Sequence, residues 1–152
     1  MNINYFMNEA IKEANIAFIN NEVPVGAILV DNKTNEIIYR SHNQINKHKN
    51  AMYHCEIDLI MHACKKLCKK YLDNTVMFVT LEPCLMCASA INEVHIEKIY
   101  FGAYDDKNGG IEKFKYQSKR DHIFKTDIYG GIMENDCKVL IENFFKKIRK
   151  WI

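Results

Sequence analysis

Two short segments of the chain carry side chains that together could bind a metal ion. Residues 54–56 read His-Cys-Glu, and a proline at position 83 precedes Cys84 and Cys87, which form a C-x-x-C pair. Zinc is a borderline-soft ion that takes nitrogen and sulfur ligands, so one imidazole and two thiolates suit it. Each segment opens a predicted helix, where the helix dipole lowers the pKa of a thiol. The spacing therefore predicts one zinc ion (Zn2+) per chain, held by His54, Cys84 and Cys87.

The number of ligands indicates a catalytic site rather than a structural one. Three protein ligands leave the fourth tetrahedral position open to water, and zinc lowers the pKa of a bound water to about 7. Glu56 lies two residues from His54, where its carboxylate can exchange protons with such a water without binding the metal. A structural site would need a fourth ligand. Cys55 is the nearest candidate, but as the direct neighbour of His54 it should point around the helix, away from the ion.

Apolar periodicity predicts the elements that must position these residues. Apolar residues at three- and four-residue steps indicate helices, and short apolar runs between polar turns indicate strands. The predicted helices cover residues 3–18, about 53–68, a short stretch from 84, and 135–151; the predicted strands cover 25–30, 37–39, 76–79, 99–101 and 126–129, with a polar loop from 102 to about 125. Helix, hairpin, then alternating strand and helix predict an α/β fold, a three-layer α-β-α sandwich with a central mixed five-stranded sheet.

Length and composition fit a single domain over residues 1–152. Hydrophobic residues make up 48% and charged residues 26% of the chain, which is usual for a globular protein that buries a core without disulfides. The net charge of +2 is too small to indicate a nucleic-acid-binding protein by itself. No apolar stretch is long enough to span a membrane, and no basic leader precedes the first helix. We therefore expect a cytoplasmic protein whose six cysteines serve metal binding or burial.

The order of the motifs resembles a known family. H-x-E followed by P-C-x-x-C is the signature of zinc deaminases that act on nucleobases, so the sequence resembles the cytidine deaminase superfamily. Along nearly its whole length it is similar to the bacterial tRNA-specific adenosine deaminases. The shared stretches are residues 21–27 (NEVPVGA), 80–88 (TLEPCLMCA) and 100–105 (YFGAYD), and Phe144-Phe145 precedes basic residues as in that family. The resemblance implies a cytidine deaminase-like fold, a homodimer, and conversion of adenosine to inosine at the anticodon wobble position.

The resemblance also implies roles for single residues. Asn43 would hydrogen-bond the flipped base, Val25 would line its pocket, and Asp105 would meet the substrate backbone beside the target nucleotide. Taken alone, an asparagine after a strand is more often a local hydrogen-bonding residue of a turn. The zinc ligands and the proton shuttle would be the residues named above: His54, Cys84, Cys87 and Glu56.

Ser89, shortly after the C-x-x-C pair, is a minor departure from the family pattern, and three other positions depart from it more clearly. Cys55 replaces the alanine that is usual between the histidine and the glutamate, Tyr104 replaces a residue that is often basic, and Asp58 stands where an apolar residue is common. None of the three is a predicted ligand or the proton shuttle. We expect them to affect substrate detail and helix packing rather than the reaction.

Basic residues near the end of the last predicted helix are candidates for contact with a tRNA anticodon stem-loop. They are Lys146, Lys147, Arg149 and Lys150. The alternative is a solvated helix end, where cations also interact favourably with the helix dipole. An anticodon loop is a suitable substrate because a single-stranded base is most easily taken out of its stack. DNA is not an expected partner.

Two other functions remain open at this point. One is a free-base or nucleoside deaminase acting on guanine or cytosine, which the zinc site alone cannot distinguish from an RNA deaminase. The other is a non-catalytic zinc module that binds RNA. Glu56 argues against the second, because a structural zinc site has no use for a carboxylate beside three ligands.

Overall fold

The computed structural model describes residues 1–113 and 125–151. Within these ranges the predicted helices and strands are all present, with bounds that differ by a few residues. The short helix α2 was not predicted, and residues 114–124 of the predicted loop lie outside the described part of the chain. The elements are α1 (Ile3–Ile19), β1 (Gly26–Asp31), β2 (Ile37–His42), α2 (Ile45–His48), α3 (Cys55–Leu67), β3 (Thr75–Leu81), α4 (Leu85–Glu93), β4 (Lys98–Ala103), β5 (Asp127–Tyr129) and α5 (Glu134–Arg149).

The strands form one mixed sheet in the order β2-β1-β3-β4-β5. β1 is antiparallel to both of its neighbours, whereas β3, β4 and β5 run parallel. Parallel neighbours need a crossover connection, which α4 supplies between β3 and β4. Leu81 at the end of β3 pairs with Ala103 at the end of β4. The segments that follow these two strands therefore leave the sheet side by side.

The sheet is covered by helices on both faces, because successive side chains of a strand point to opposite sides. In β3, Met77 and Val79 join the core cluster that contains Leu59 of α3 and Ile91 of α4. Val76 and Phe78 of the same strand join a second cluster with Phe6 and Met7 of α1 and Cys137 of α5. The predicted three-layer α-β-α sandwich is confirmed. Within the described ranges, no helix has both the length and the apolar character needed to cross a membrane.

Helix α5 leaves its last turns open to solvent. Cys137 and Phe144 are buried, and the Phe144 ring meets that of Phe18 in α1 with centroids 5.9 Å apart. Ile148 and Trp151 continue the same apolar stripe, yet they are 39% and 80% exposed. The end of the helix therefore presents both apolar and basic side chains at the surface.

Candidate active site

The candidate zinc ligands lie at the starts of two neighbouring helices. His54 is the N-cap of α3 and Cys84 is the N-cap of α4, both with extended backbone, and neither side chain caps its own helix. α4 begins at Leu85, so the proline at position 83 precedes the N-cap and lies outside the helix. Cys87 follows within that first turn. The imidazole and the two thiols can therefore face each other between the helix starts.

The three donor atoms are separated as a tetrahedral zinc site requires. His54 Nδ1 is 3.6 Å from Cys84 Sγ and 3.5 Å from Cys87 Sγ, and all three atoms lie within 4.8 Å of one another. Zinc bonds of about 2.3 Å to sulfur and about 2.0 Å to nitrogen, set at the tetrahedral angle, place the two donors about 3.5 Å apart. The donor set thus fits zinc. No fourth His, Cys, Asp or Glu joins this group in the part of the chain that the structure describes.

The two thiols differ in acidity. A hydrogen bond from the Cys87 thiol, assisted by His54, outweighs burial and lowers the pKa of Cys84 to about 4. The same hydrogen bond, together with burial, raises the pKa of Cys87. Cys84 is therefore a thiolate at neutral pH, and metal binding at this pair would release the proton that Cys87 holds.

Glu56 lies in the first turn of α3, with only 4% of its surface exposed. Burial raises the pKa of its carboxyl group, which suits a group that must both take and give a proton near neutral pH. The Cys55 thiol donates a weak hydrogen bond to Glu56 Oε2 at 3.4 Å. Cys55 itself is fully buried in the apolar core and is not one of the grouped donor atoms.

A cavity of about 390 Å³ opens beside these residues. Six of the seven predicted site residues line it, and the seventh, Cys87, is buried next to His54. The six are Val25, Asn43, His54, Glu56, Cys84 and Asp105. The lining residues that sequence analysis missed are Val23, Ile45, Leu81, Glu82 and Asn108. Glu82 could have been predicted from its position next to the P-C-x-x-C motif. Ile45 could not, because it belongs to a helix too short to show a periodic pattern.

Asn43 joins the end of β2 to the start of α3. Its side-chain Oδ1 accepts the Cys55 backbone N–H at 3.0 Å, and its own backbone N–H donates to the Val25 carbonyl at 3.0 Å. The side chain is buried, with 6% exposed. Its Nδ2 has no hydrogen-bond partner among the residues that the structure describes. A buried donor without a partner is costly, so the amide N–H groups are available to a ligand in the cavity that Asn43 lines.

The departure at Asp58 has a structural reason. Its carboxylate is buried, accepts the Ser41 hydroxyl at 2.5 Å, and lies 3.0 Å from His62 Nδ1. These contacts satisfy the polar side chain at a position where an apolar residue is common. The bond between Ser41 and Asp58 also joins β2 to α3, about one helical turn beyond the point where Asn43, just after β2, accepts the Cys55 N–H.

Comparison with known proteins identifies the family. A model of the cytidine and deoxycytidylate deaminase zinc-binding region matches residues 1–103. The tRNA-specific adenosine deaminase of Rickettsia bellii is 43% identical over 144 residues, which span 94% of this chain and 99% of the relative. The chain belongs to the tRNA-specific adenosine deaminase family.

Solved structures agree with this family assignment. One from a study of A-to-I editing by tRNA deaminases at the wobble position superposes with a TM-score of 0.83 at 37% identity, covering 90% of this chain and 98% of that one. A guanine deaminase from Nitrosomonas europaea superposes with a TM-score of 0.78 over 93% of this chain and 83% of that one, but at 14% identity. The second likeness concerns the fold alone. As a member of the adenosine deaminase family, the chain is a zinc-binding deaminase.

Proposed function

We propose that this enzyme converts adenosine to inosine at the wobble position of a tRNA anticodon, with one zinc ion per chain. The observation that carries the proposal is the cavity in which a three-donor zinc site and the buried carboxylate of Glu56 meet. The full-length similarity to tRNA-specific adenosine deaminases supports adenosine in tRNA as the substrate. It also supports a cytoplasmic location, which is typical of tRNA-modifying enzymes in bacteria, where the relatives are found.

The reaction consumes water and releases ammonia. Zinc, when held by His54, Cys84 and Cys87, would act as the Lewis acid that activates the water. Glu56 takes the proton of that water and donates one to N1 of adenine while the oxygen adds to C6. Glu56 then relays the second proton to the amino nitrogen, which departs as ammonia when the C6–N bond breaks. A carboxyl group with a raised pKa can both accept a proton and donate one near neutral pH.

The remaining cavity residues would hold the nucleotide. Asn43 and Val25 line the cavity, where the Asn43 Nδ2 group would donate to an acceptor of the flipped base and Val25 would supply an apolar wall. Asp105, at the cavity edge, would meet the backbone beside the target nucleotide. A cavity of about 390 Å³ accommodates one base, so the adenine must leave its stack before it can react.

The exposed end of α5 would contact the RNA beyond the target base. Lys146, Arg149 and Lys150 are exposed there beside Trp151, which combines positive charge with an aromatic surface for stacking. Lys147 is held differently, because its Nζ donates to Asn21 Oδ1 at 3.1 Å and lies over the ring of Phe18.

We also propose that the enzyme is a homodimer, as its family resemblance implies. α3 and α4 each expose a large apolar side chain, Met61 at 66% and Leu85 at 52%. In the proposed dimer a second copy of the chain would cover these two side chains. Light scattering in solution measures the mass directly, and a monomer at micromolar concentration would contradict this part of the proposal.

The experiment for the function compares substrates. Purified enzyme is incubated with an anticodon stem-loop that carries adenosine at the wobble position, with the same stem-loop carrying guanosine there, and with free adenine, guanine and cytosine. We expect inosine and ammonia from the adenosine stem-loop alone. Ammonia from free guanine or cytosine without inosine in RNA would favour the free-base deaminase, and no ammonia from zinc-loaded protein would favour a binding module.

A further inference from the structure

The loop of residues 105–110 is docked against the segment that carries the zinc ligand Cys84. The backbone of Cys84 forms a β-bridge with Gly109. The Gly110 N–H donates to the carbonyl of Pro83, the residue before Cys84, at 2.9 Å. The Gly109 N–H closes the loop on itself by donating to the Asp105 carbonyl at 2.8 Å. The loop and the ligand segment therefore hold each other in place at the cavity edge.

Glu82 is the side chain that joins these two segments. Its Oε2 accepts the Asp105 backbone N–H at 3.0 Å, and its own N–H donates to the Ala103 carbonyl at 2.8 Å. The carboxylate packs tightly on Gly109, since a Cβ at that glycine would lie 2.2 Å from Glu82 Oε2. Glu82 is partly buried and lines the same cavity as Glu56.

The side chain of Asp105 depends on this anchoring. Its Oδ1 accepts the backbone N–H groups of Lys107 and Asn108 at 3.1 and 3.0 Å, which fixes the turn that follows. Its Oδ2 has no partner among the described residues and can face a ligand. The direction of that oxygen follows the backbone at Asp105, which Glu82 holds.

We infer that Glu82 is a positioning residue, which sets the place of Asp105 at the cavity edge and thereby the fit of the RNA backbone. The inference rests on the proposed function for the identity of the substrate. Removing the carboxylate leaves the Asp105 N–H without its acceptor and opens space beside Gly109. The loop then loses its side-chain tie to the zinc-ligand segment and keeps only the backbone contacts of Gly109 and Gly110, while the metal donors and Glu56 keep their own contacts.

The test compares Glu82→Ala with Glu82→Gln, whose amide oxygen can still accept the Asp105 N–H. For the anticodon stem-loop we expect Glu82→Ala to raise KM at least about fivefold, as for the loss of a partly buried hydrogen bond, with kcat within about threefold. Glu82→Gln should restore most of the lost affinity. Glu112→Ala is the matched control, because it removes an exposed negative charge near Glu82 without removing this hydrogen bond.

A double-mutant cycle separates positioning from general damage. In an Asp105→Ala background, Glu82→Ala should change KM less than about twofold, because residues that act through one another are not additive. Equal effects in both backgrounds, or zinc loss and a fall in kcat in Glu82→Ala, would overturn the inference.

Hydrogen exchange of the amides in residues 105–110 needs no substrate and keeps the two proposals separable. Faster exchange in Glu82→Ala than in Glu82→Gln supports the inference even if the wild-type enzyme forms no inosine, which would count against the proposed function only. Unchanged exchange in Glu82→Ala would overturn the inference.

Discussion

Cys55 and Glu56 are neighbours in the first turn of α3, but their side chains lie in different surroundings. A helix turns by about 100° per residue, so Glu56 faces the cavity while Cys55 is buried in the core. Asp58, two residues beyond Glu56, meets Ser41 of β2. One helical turn thus carries a catalytic candidate, a core residue and a buried polar contact.

At Glu56 we expect the substitution Glu56→Ala to retain zinc and fold but to lose nearly all turnover. General acid–base groups contribute about 10²–10⁴-fold, and Glu56 handles two proton transfers. Glu56→Gln is the matched control for size, since it fills the same volume but cannot carry the proton and should be equally inactive. Inosine formation and bound zinc are measured in both variants. More than about a tenth of wild-type activity in either would contradict the role.

At Cys55 we expect the substitution Cys55→Ala to leave zinc content unchanged. The variant loses one buried sulfur and a weak hydrogen bond, so the free energy of unfolding should fall by about 1 kcal/mol, as in a mild core truncation. Activity should stay within about threefold, because the carboxylate of Glu56 remains buried beside the metal donors. Metal analysis, denaturant unfolding and inosine formation check these three points. Marked zinc loss would mean that Cys55 is a ligand.

At the scale of elements, the zinc site is a junction between α3 and α4. We expect Cys84→Ala to lose zinc and stability together, because the metal ties two helix starts and its binding free energy contributes to folding. Cys64→Ala is the matched control, as it removes a thiol from the body of α3 away from the donor group. Metal content and thermal unfolding are measured with and without a chelator. Full zinc occupancy in Cys84→Ala would refute the ligand assignment.

The elements also show how far sequence patterns reach. Helices α1 and α3 were predictable because their apolar residues recur at the helical period. Strands β1 and β3 were predictable because each is a short, continuous apolar run that is buried in the sheet. Helix α2 was not, since its four residues are too few to show a period. The contact of Asp58 with Ser41 was not predictable either, because it joins residues 17 positions apart, and a buried carboxylate is explained only when its partner is known.

In the candidate site, too, local patterns predicted some residues, and the others depended on resemblance or on contacts distant in sequence. His54, Glu56, Cys84 and Cys87 were predicted from residue types that the proposed chemistry requires at a fixed spacing. Asn43, Val25 and Asp105 came only through resemblance. The anchoring role of Glu82 depends on a backbone N–H from the next strand's end, which no local pattern encodes.

At the scale of the whole molecule, the cavity and the exposed end of α5 would contact the same RNA molecule. We expect Arg149→Ala combined with Lys150→Ala to weaken stem-loop binding and to reduce the slope of log K against log salt by about 1.5, which is slightly under one for each lost phosphate contact. Lys65→Ala with Lys69→Ala is the matched control, because both lysines are exposed on or just after α3. Binding is measured by titration at several salt concentrations. An equal change in both double variants would contradict a specific contact.

The acidity of Cys84 has a consequence for the life of the newly made chain. A partly exposed thiol with a pKa of about 4 is a thiolate at neutral pH, which is the form that peroxide oxidises. Cys87 Sγ lies within 4.8 Å of it, near enough to close a disulfide with the oxidised sulfur. Bound zinc occupies both sulfurs and protects them. Metal supply therefore competes with oxidation from the moment of synthesis, and a cell short of zinc would accumulate disulfide-bonded protein, which must be reduced before it can bind zinc, as well as empty enzyme.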